Sequence, residues 1–158
     1  MRCFQSALTV LAVPLFLPLL ASADSKAPNF TGAWQMDTAK SQVEDGRLVT
    51  LRIETVSDKI RMVRVVREKD GKEVTSQFVC GSDGTECEYD DGGQKAKVSL
   101  WYNGAALVVL KTNGSKEDTS DEWTMKLSSD THTLTVGLEH IDPTGKEETL
   151  VFSKQPSH

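Results

Sequence analysis

Along most of the chain, runs of five to ten residues alternate between apolar and polar side chains and give way to short clusters of Gly, Asn, Asp, Ser and Lys. A two-residue period puts every second side chain on one face of an extended strand, and the clusters supply turn chemistry. Ten strands follow: TGAWQMD, LVTLRIETV, KIRMVRVVRE, EVTSQFVC, ECEYD, KAKVSLWY, AALVVLKT, DTSDEWTMKL, HTLTVGLEH and EETLVFSKQ. The turns include VSDK, KDGK, GSDGTE, DDGGQ, SSDT and DPTGK, and Asn103-Gly104 is the clearest two-residue hairpin signal. No segment holds a 3.6-residue period over three turns, and the one candidate helix is a short one within Asp37 to Asp45. The expectation is an all-β protein: an antiparallel up-and-down barrel of 8–10 strands with at most one short helix.

Closure follows from the connections and from parity. Nearly all connections are of hairpin length, so each strand pairs with the next, and a meander left open would expose two raw edges. One apolar face recurs: Gly32, Trp34 and Met36 on the first strand, Trp123, Met125 and Leu127 on the eighth, Leu134, Val136, Leu138 and His140 on the ninth, Leu150, Phe152 and Lys154 on the last. With an even number of strands the last runs antiparallel to the first, which brings Lys154 beside Trp34.

The segment NFTGAW, with Gly32 two residues before Trp34 at the start of the first strand, and the closing VFSK resemble the lipocalin and fatty-acid-binding group of barrels. The resemblance covers the mature chain in strand rhythm and looks like small exported bacterial lipocalin-like proteins. It implies that Gly32, Trp34 and Lys154 form a barrel-closing motif, with the cation over the indole, and that the barrel holds a small apolar or amphipathic ligand. The chain departs from the group in having Lys154 where many lipocalins have arginine, in lacking further lipocalin signatures, and in leaving no room after the first strand for a two-helix lid. Independently, glycine permits close approach of a neighbouring group, and tryptophan is a large rigid plug with a polar N–H.

The first 23 residues break the strand rhythm. Arg2, an apolar run of 14 residues from Ala7 to Leu20 interrupted by Pro14 and Pro18, and Ala21-Ser22-Ala23 make a secretory leader cleaved between Ala23 and Asp24. The run is too short to span a bilayer as a helix. Residues 24–158 are then one domain of 135 residues, secreted or periplasmic and not membrane-spanning. Loss of Arg2 moves the net charge from −5 to about −6, which makes nucleic acid an unsuitable partner. The two remaining cysteines, Cys80 and Cys87, are read as one disulfide of an exported protein; a zinc site would need further ligands at a spacing the histidines do not offer, and no metal is expected.

Candidate chemistry is sparse. Gly-x-Ser-x-Gly, phosphate-loop and Cys-x-x-Cys-His patterns are absent, so neither catalysis nor a cofactor is expected. If Trp34 and Lys154 mark a plugged end, the opposite rim is the mouth, and alternate residues of the strands line the interior. The candidate ligand-binding wall comprises Met62, Arg64, Phe78, Leu100, Tyr102, Leu107, Trp123, Met125, Val136, Leu138 and His140. An inward Arg64 would suit a carboxylate or other anion, although the face carrying Val63 and Val65 can equally be the inner one. The leading function is a monomeric exported barrel that binds a small hydrophobic or amphipathic molecule. One alternative is a protein-interaction or inhibitor module with a filled barrel; another is a haem-binding barrel with His140 as the ligand. The sequons at Asn29 and Asn113 matter only in a eukaryotic secretory route.

Overall fold

The computed structural model describes residues 27–156 apart from 44, 114–118, 143–144 and 146. The leader, the Ala23–Asp24 cleavage position, and Gly114 and Ser115 of the second sequon lie outside the described residues. Ten strands follow the apolar alternation: β1 Gly32–Met36, β2 Leu48–Val56, β3 Lys59–Arg67, β4 Glu73–Cys80, β5 Cys87–Asp91, β6 Gln94–Asn103, β7 Ala106–Asn113, β8 Thr119–Leu127, β9 Thr133–Asp142 and β10 Glu148–Lys154. They form a closed barrel in chain order, β1 pairing with both β2 and β10, and every pairing is antiparallel.

The period-2 pattern becomes a packed interior. On β2, Val49, Leu51 and Ile53 are buried between exposed neighbours, and β4 does the same with Ser76, Phe78 and Cys80. Fully buried Trp34, Met62, Leu100, Leu107, Met125, Leu134 and Phe152 join them in one core. Each such side chain contributes roughly 1.5–3 kcal/mol of transfer free energy, which offsets the entropy of ordering a single-core domain.

Odd-numbered strands run from the Trp34 end toward the opposite rim, so the connections after β2, β4, β6 and β8 lie at the plugged end. Cys80 and Cys87 form a disulfide across the β4–β5 connection there. The opposite rim carries the longer β1–β2 connection.

Two local expectations change. The segment after β1 forms no helix: after a single turn in which Ser41 N donates to Asp37 O at 3.0 Å, it runs up beside β10, with Gln42 bridged to Thr149. The neighbouring β10 backbone offers hydrogen bonds that continue the barrel seam, and these replace a helical ladder. In the β6–β7 hairpin, Asn103 stays in the ladder opposite Ala106, and the loop residues are Gly104 and Ala105. Gly104 at φ +59 takes the left-handed position that opens the turn.

Candidate functional site

At the plugged end, β1 and β10 set Trp34 opposite Lys154, whose Nζ lies 5.3 Å from the centre of the indole ring. The Trp34 ring is buried, and its Nε1 donates to the Phe30 carbonyl at 3.0 Å. Gly32 stands next to the lysine chain; a methyl group there would lie 2.8 Å from Lys154 Cε. The end is sealed by the segment preceding β1, with Phe30 stacked at 6.4 Å on Tyr102 and the Tyr102 hydroxyl donating to Pro28 O at 3.4 Å.

The eleven candidate wall residues separate by height along the barrel. Arg64, Trp123, Met125, Val136 and Leu138 surround a void in the mouth half, together with Val49, Leu51, Leu150 and Phe152. This void amounts to about 20 Å³, room for one water. Met62, Phe78, Leu100 and Leu107 point inward but are packed in the core rather than on open space. Tyr102 sits at the plugged end against Phe30, because β6 reaches that end at its C-terminus. His140 stands at the rim with 44% of its side chain exposed, and its Nδ1 is hydrogen-bonded to Asp121, its register partner on β8. The β8–β9 register shifts here, skipping Ile141 on β9 between the Asp121–His140 and Ser120–Asp142 pairs; bulges of this kind re-aim side chains at barrel rims.

Arg64 lies on the inner wall, and Val63 and Val65 on the outer one. Its guanidinium stacks 5.6 Å above the centre of the Trp123 ring, and it makes no ion pair among the described residues. Around it runs a belt of polar groups not foreseen in the alternation: Ser76, Tyr89, Asp91, Lys111 and Asp121. Lys111 Nζ reaches across β6 to Asp91 at 2.6 Å and lies 3.6 Å from Asp121; β6 presents the small Ala96 on this wall. The Ser76 hydroxyl donates to Asp91 at 3.0 Å. Burial pushes the Asp91 carboxyl upward, but Lys111, the Ser76 hydroxyl and the charge of Arg64 outweigh it and hold the group below its ordinary value. Burial raises the Tyr89 phenol to about 12. Strand parity is the signal that locates this belt: Lys111 shares a face with Leu107 and Val109, and Asp121 with Trp123 and Met125.

Among the described residues, no group of three or more His, Cys, Asp or Glu is arranged to hold a metal ion, and no helix is long and apolar enough to cross a membrane. Lys111 stands between Asp91 and Asp121, and of these Asp121 is bonded to His140.

No protein-family model and no curated protein matches the chain by sequence. Solved structures do match in fold. Apo lipid binding protein 8 of Caenorhabditis elegans superposes with a TM-score of 0.61 at 12% identity, over 80% of this chain and 95% of that one. Fatty-acid-binding protein 1 of Echinococcus granulosus gives 0.60 at 10% identity, over 80% and 98% respectively. The chain therefore has the ten-stranded calycin barrel fold of the fatty-acid-binding proteins.

Proposed function

We propose that this chain is an exported, monomeric barrel that takes up one compact amphipathic molecule through its mouth and performs no chemistry on it. The observation that carries the reading is Arg64: a cation on the inner wall, stacked on Trp123 at the top of an apolar void, with no carboxylate paired to it among the described residues. A buried or half-buried cation is normally paired, and one facing an apolar hollow at a rim is suited to the polar end of a ligand whose apolar part goes below. That the two structural neighbours are named for binding lipid and fatty acid supports the same reading, at the level of fold analogy. The Cys80–Cys87 disulfide supports export.

The void of about 20 Å³ sets the terms of binding. A ligand must displace the Arg64–Trp123 pair from the hollow, so uptake is coupled to side-chain rearrangement and its affinity is reduced by the cost of that opening. The same small volume favours a second reading, the filled barrel whose rim contacts another protein, and it weighs against a haem held inside next to His140.

Titration of the folded protein with 1-anilinonaphthalene-8-sulfonate, a compact amphipathic anion, separates the two. Saturable one-to-one enhancement of the dye, with energy transfer that falls in Trp123→Phe, is expected of the binding protein. Absence of saturable binding to the native state would leave the filled barrel.

A further inference from the structure

We propose that Met125 and Phe152 close the barrel interior partway down and so restrict the ligand to a molecule of one or two fused rings, to the exclusion of an extended acyl chain. The proposal rests on the amphipath-binding reading, and it sets this chain apart from the fatty acid in one structural neighbour's name.

The Arg64–Trp123 contact spans the barrel. In the closed order β3 and β8 are separated by four strands on either side, β4–β7 one way and β9, β10, β1 and β2 the other. Arg64 and Trp123 therefore reach toward each other from opposite walls to meet at 5.6 Å, and this bridge divides the interior. On the β4–β7 side Phe78 and Tyr89 fill the space, with the Tyr89 ring edge-on to Phe78 at 5.8 Å and to Trp123 at 6.4 Å. The void lies on the other side, its lining residues belonging to β2, β3, β8, β9 and β10.

Depth follows from the strand repeat. Each of β2, β8, β9 and β10 contributes two successive inward positions to the lining: Val49 and Leu51, Trp123 and Met125, Leu138 and Val136, Leu150 and Phe152. Two residues of strand rise about 7 Å, so the hollow is one inward step deep. Met125 and Phe152 are its lower members on β8 and β10, both wholly buried, as are their register partners Leu107 and Leu134. Ile53 and Met62, one step nearer the base on β2 and β3, are buried too.

An extended chain of ten carbons overruns that depth, and to continue it must open cavities in a close-packed core. A ring need not go deeper. It lies flat against the Arg64–Trp123 bridge with its other face on Val49, Val136, Leu138 and Leu150. Arg64 lines the void as well as covering Trp123, so a second π face there gains a cation-π contact that an alkyl chain cannot make. Room for the ring comes from the bridge and not from the floor: Arg64 is half-buried and Trp123 8% exposed, whereas Met125 and Phe152 are at 0%.

Isothermal calorimetry of the intact protein with 2-naphthalenesulfonate and 1-decanesulfonate, an anionic ring system and an anionic chain of ten carbons each, tests the restriction. Wild type is expected to bind the ring about tenfold more tightly. The chain has the larger apolar area, so unselective hydrophobic binding would give the reverse order. Met125→Ala opens the floor and should raise decanesulfonate affinity about tenfold with little change for naphthalenesulfonate, and the milder Phe152→Leu should move the ratio in the same direction. The restriction is overturned if wild type binds the two equally or prefers the chain, or if the ratio is unchanged in either floor variant that circular dichroism shows to be folded. Failure of wild type and both variants to bind either sulfonate would instead remove the amphipath-binding reading on which the restriction rests.

Discussion

Lys154 and Trp34 face each other across the seam that closes the barrel, the ammonium 5.3 Å from the indole centroid and the two Cα atoms in register. The contact joins the last strand to the first, so it reports on closure rather than on local packing. Truncation of Trp34 to alanine should lower unfolding free energy by about 3–5 kcal/mol, and Lys154→Met by about 0.5–2 kcal/mol, both measured by urea denaturation. A near-neutral Trp34→Ala would show that the ring is not holding the seam.

Gly32 has a φ of +152°, a region in which a side chain is strained, and a Cβ there would also meet Lys154. Gly32→Ala should therefore cost about 1–3 kcal/mol. Shortening the lysine removes only the collision, so Gly32→Ala/Lys154→Ala should recover none of the backbone strain. Full recovery in the double variant would place the whole cost in the side-chain contact.

The depressed carboxyl of Asp91 links stability to pH on the acid side. A group whose folded value lies below its unfolded value of 3.8 contributes stability that is present above that pH and lost as pH falls through the folded value. Denaturation midpoints should hold steady above about pH 5 and fall below about pH 4, the ordinary range of carboxylate titration. Asp83 and Asp130 are lowered too, but they are exposed and salt-screened, and half-buried Asp37 is held low by its bond to the exposed Lys40. Asp91→Asn should flatten the part of the drop that survives in 1 M NaCl, which screens charges over about 3 Å.

At the alkaline end the sign reverses. Burial raises both tyrosines of the chain, Tyr89 to about 12. The neutral phenol is favoured in the fold, so this contribution is complete below pH 10 and lost as pH rises toward 12. Absorbance at 295 nm should show less than half of the phenolate signal at pH 10 and a late rise that coincides with loss of strand circular dichroism. Ordinary titration of both phenols near pH 10 in the folded protein would contradict the burial of Tyr89.

Reduction of the Cys80–Cys87 bond should cost about 2.5 kcal/mol, the chain-entropy value for a loop of about eight residues. Paired urea curves with and without a phosphine reductant measure it. The barrel should remain folded, because the bond staples one hairpin and not the β1–β10 seam.

The strands and their closure were legible in the chain because one physical rule, the alternation of apolar and polar residues, governs most of them; β7, with Ala106 to Val109 buried in succession, is instead marked by its apolar run between turns. The inner wall was legible only in part. On β3, both Met62-Arg64-Val66 and Val63-Val65 are plausible inner faces, and only pairing with Leu51 and Ser76 selects the first. Lys111, Asp91 and Asp121 read locally as solvated charges; their neutralisation depends on Lys111 meeting Asp91 across β6 and Asp121 on the neighbouring β8, relations between strands that no window along the chain contains. Tyr102 had the right parity but the wrong height, since parity gives the face of a strand and says nothing of depth in the barrel. The candidate helix after Asp37 yielded to a neighbour 110 residues away, where Ser41 Oγ accepts from Val151 N at 2.9 Å.

Because β1 departs from the stoppered base and β10 returns to it, the chain's entrance to the barrel and its exit lie side by side at that base. A fusion partner or surface tether joined through either flank stands on the far side from the rim. Immobilised protein would therefore keep the opposite rim toward solution, an orientation well suited to surface-based measurement of the binding proposed above.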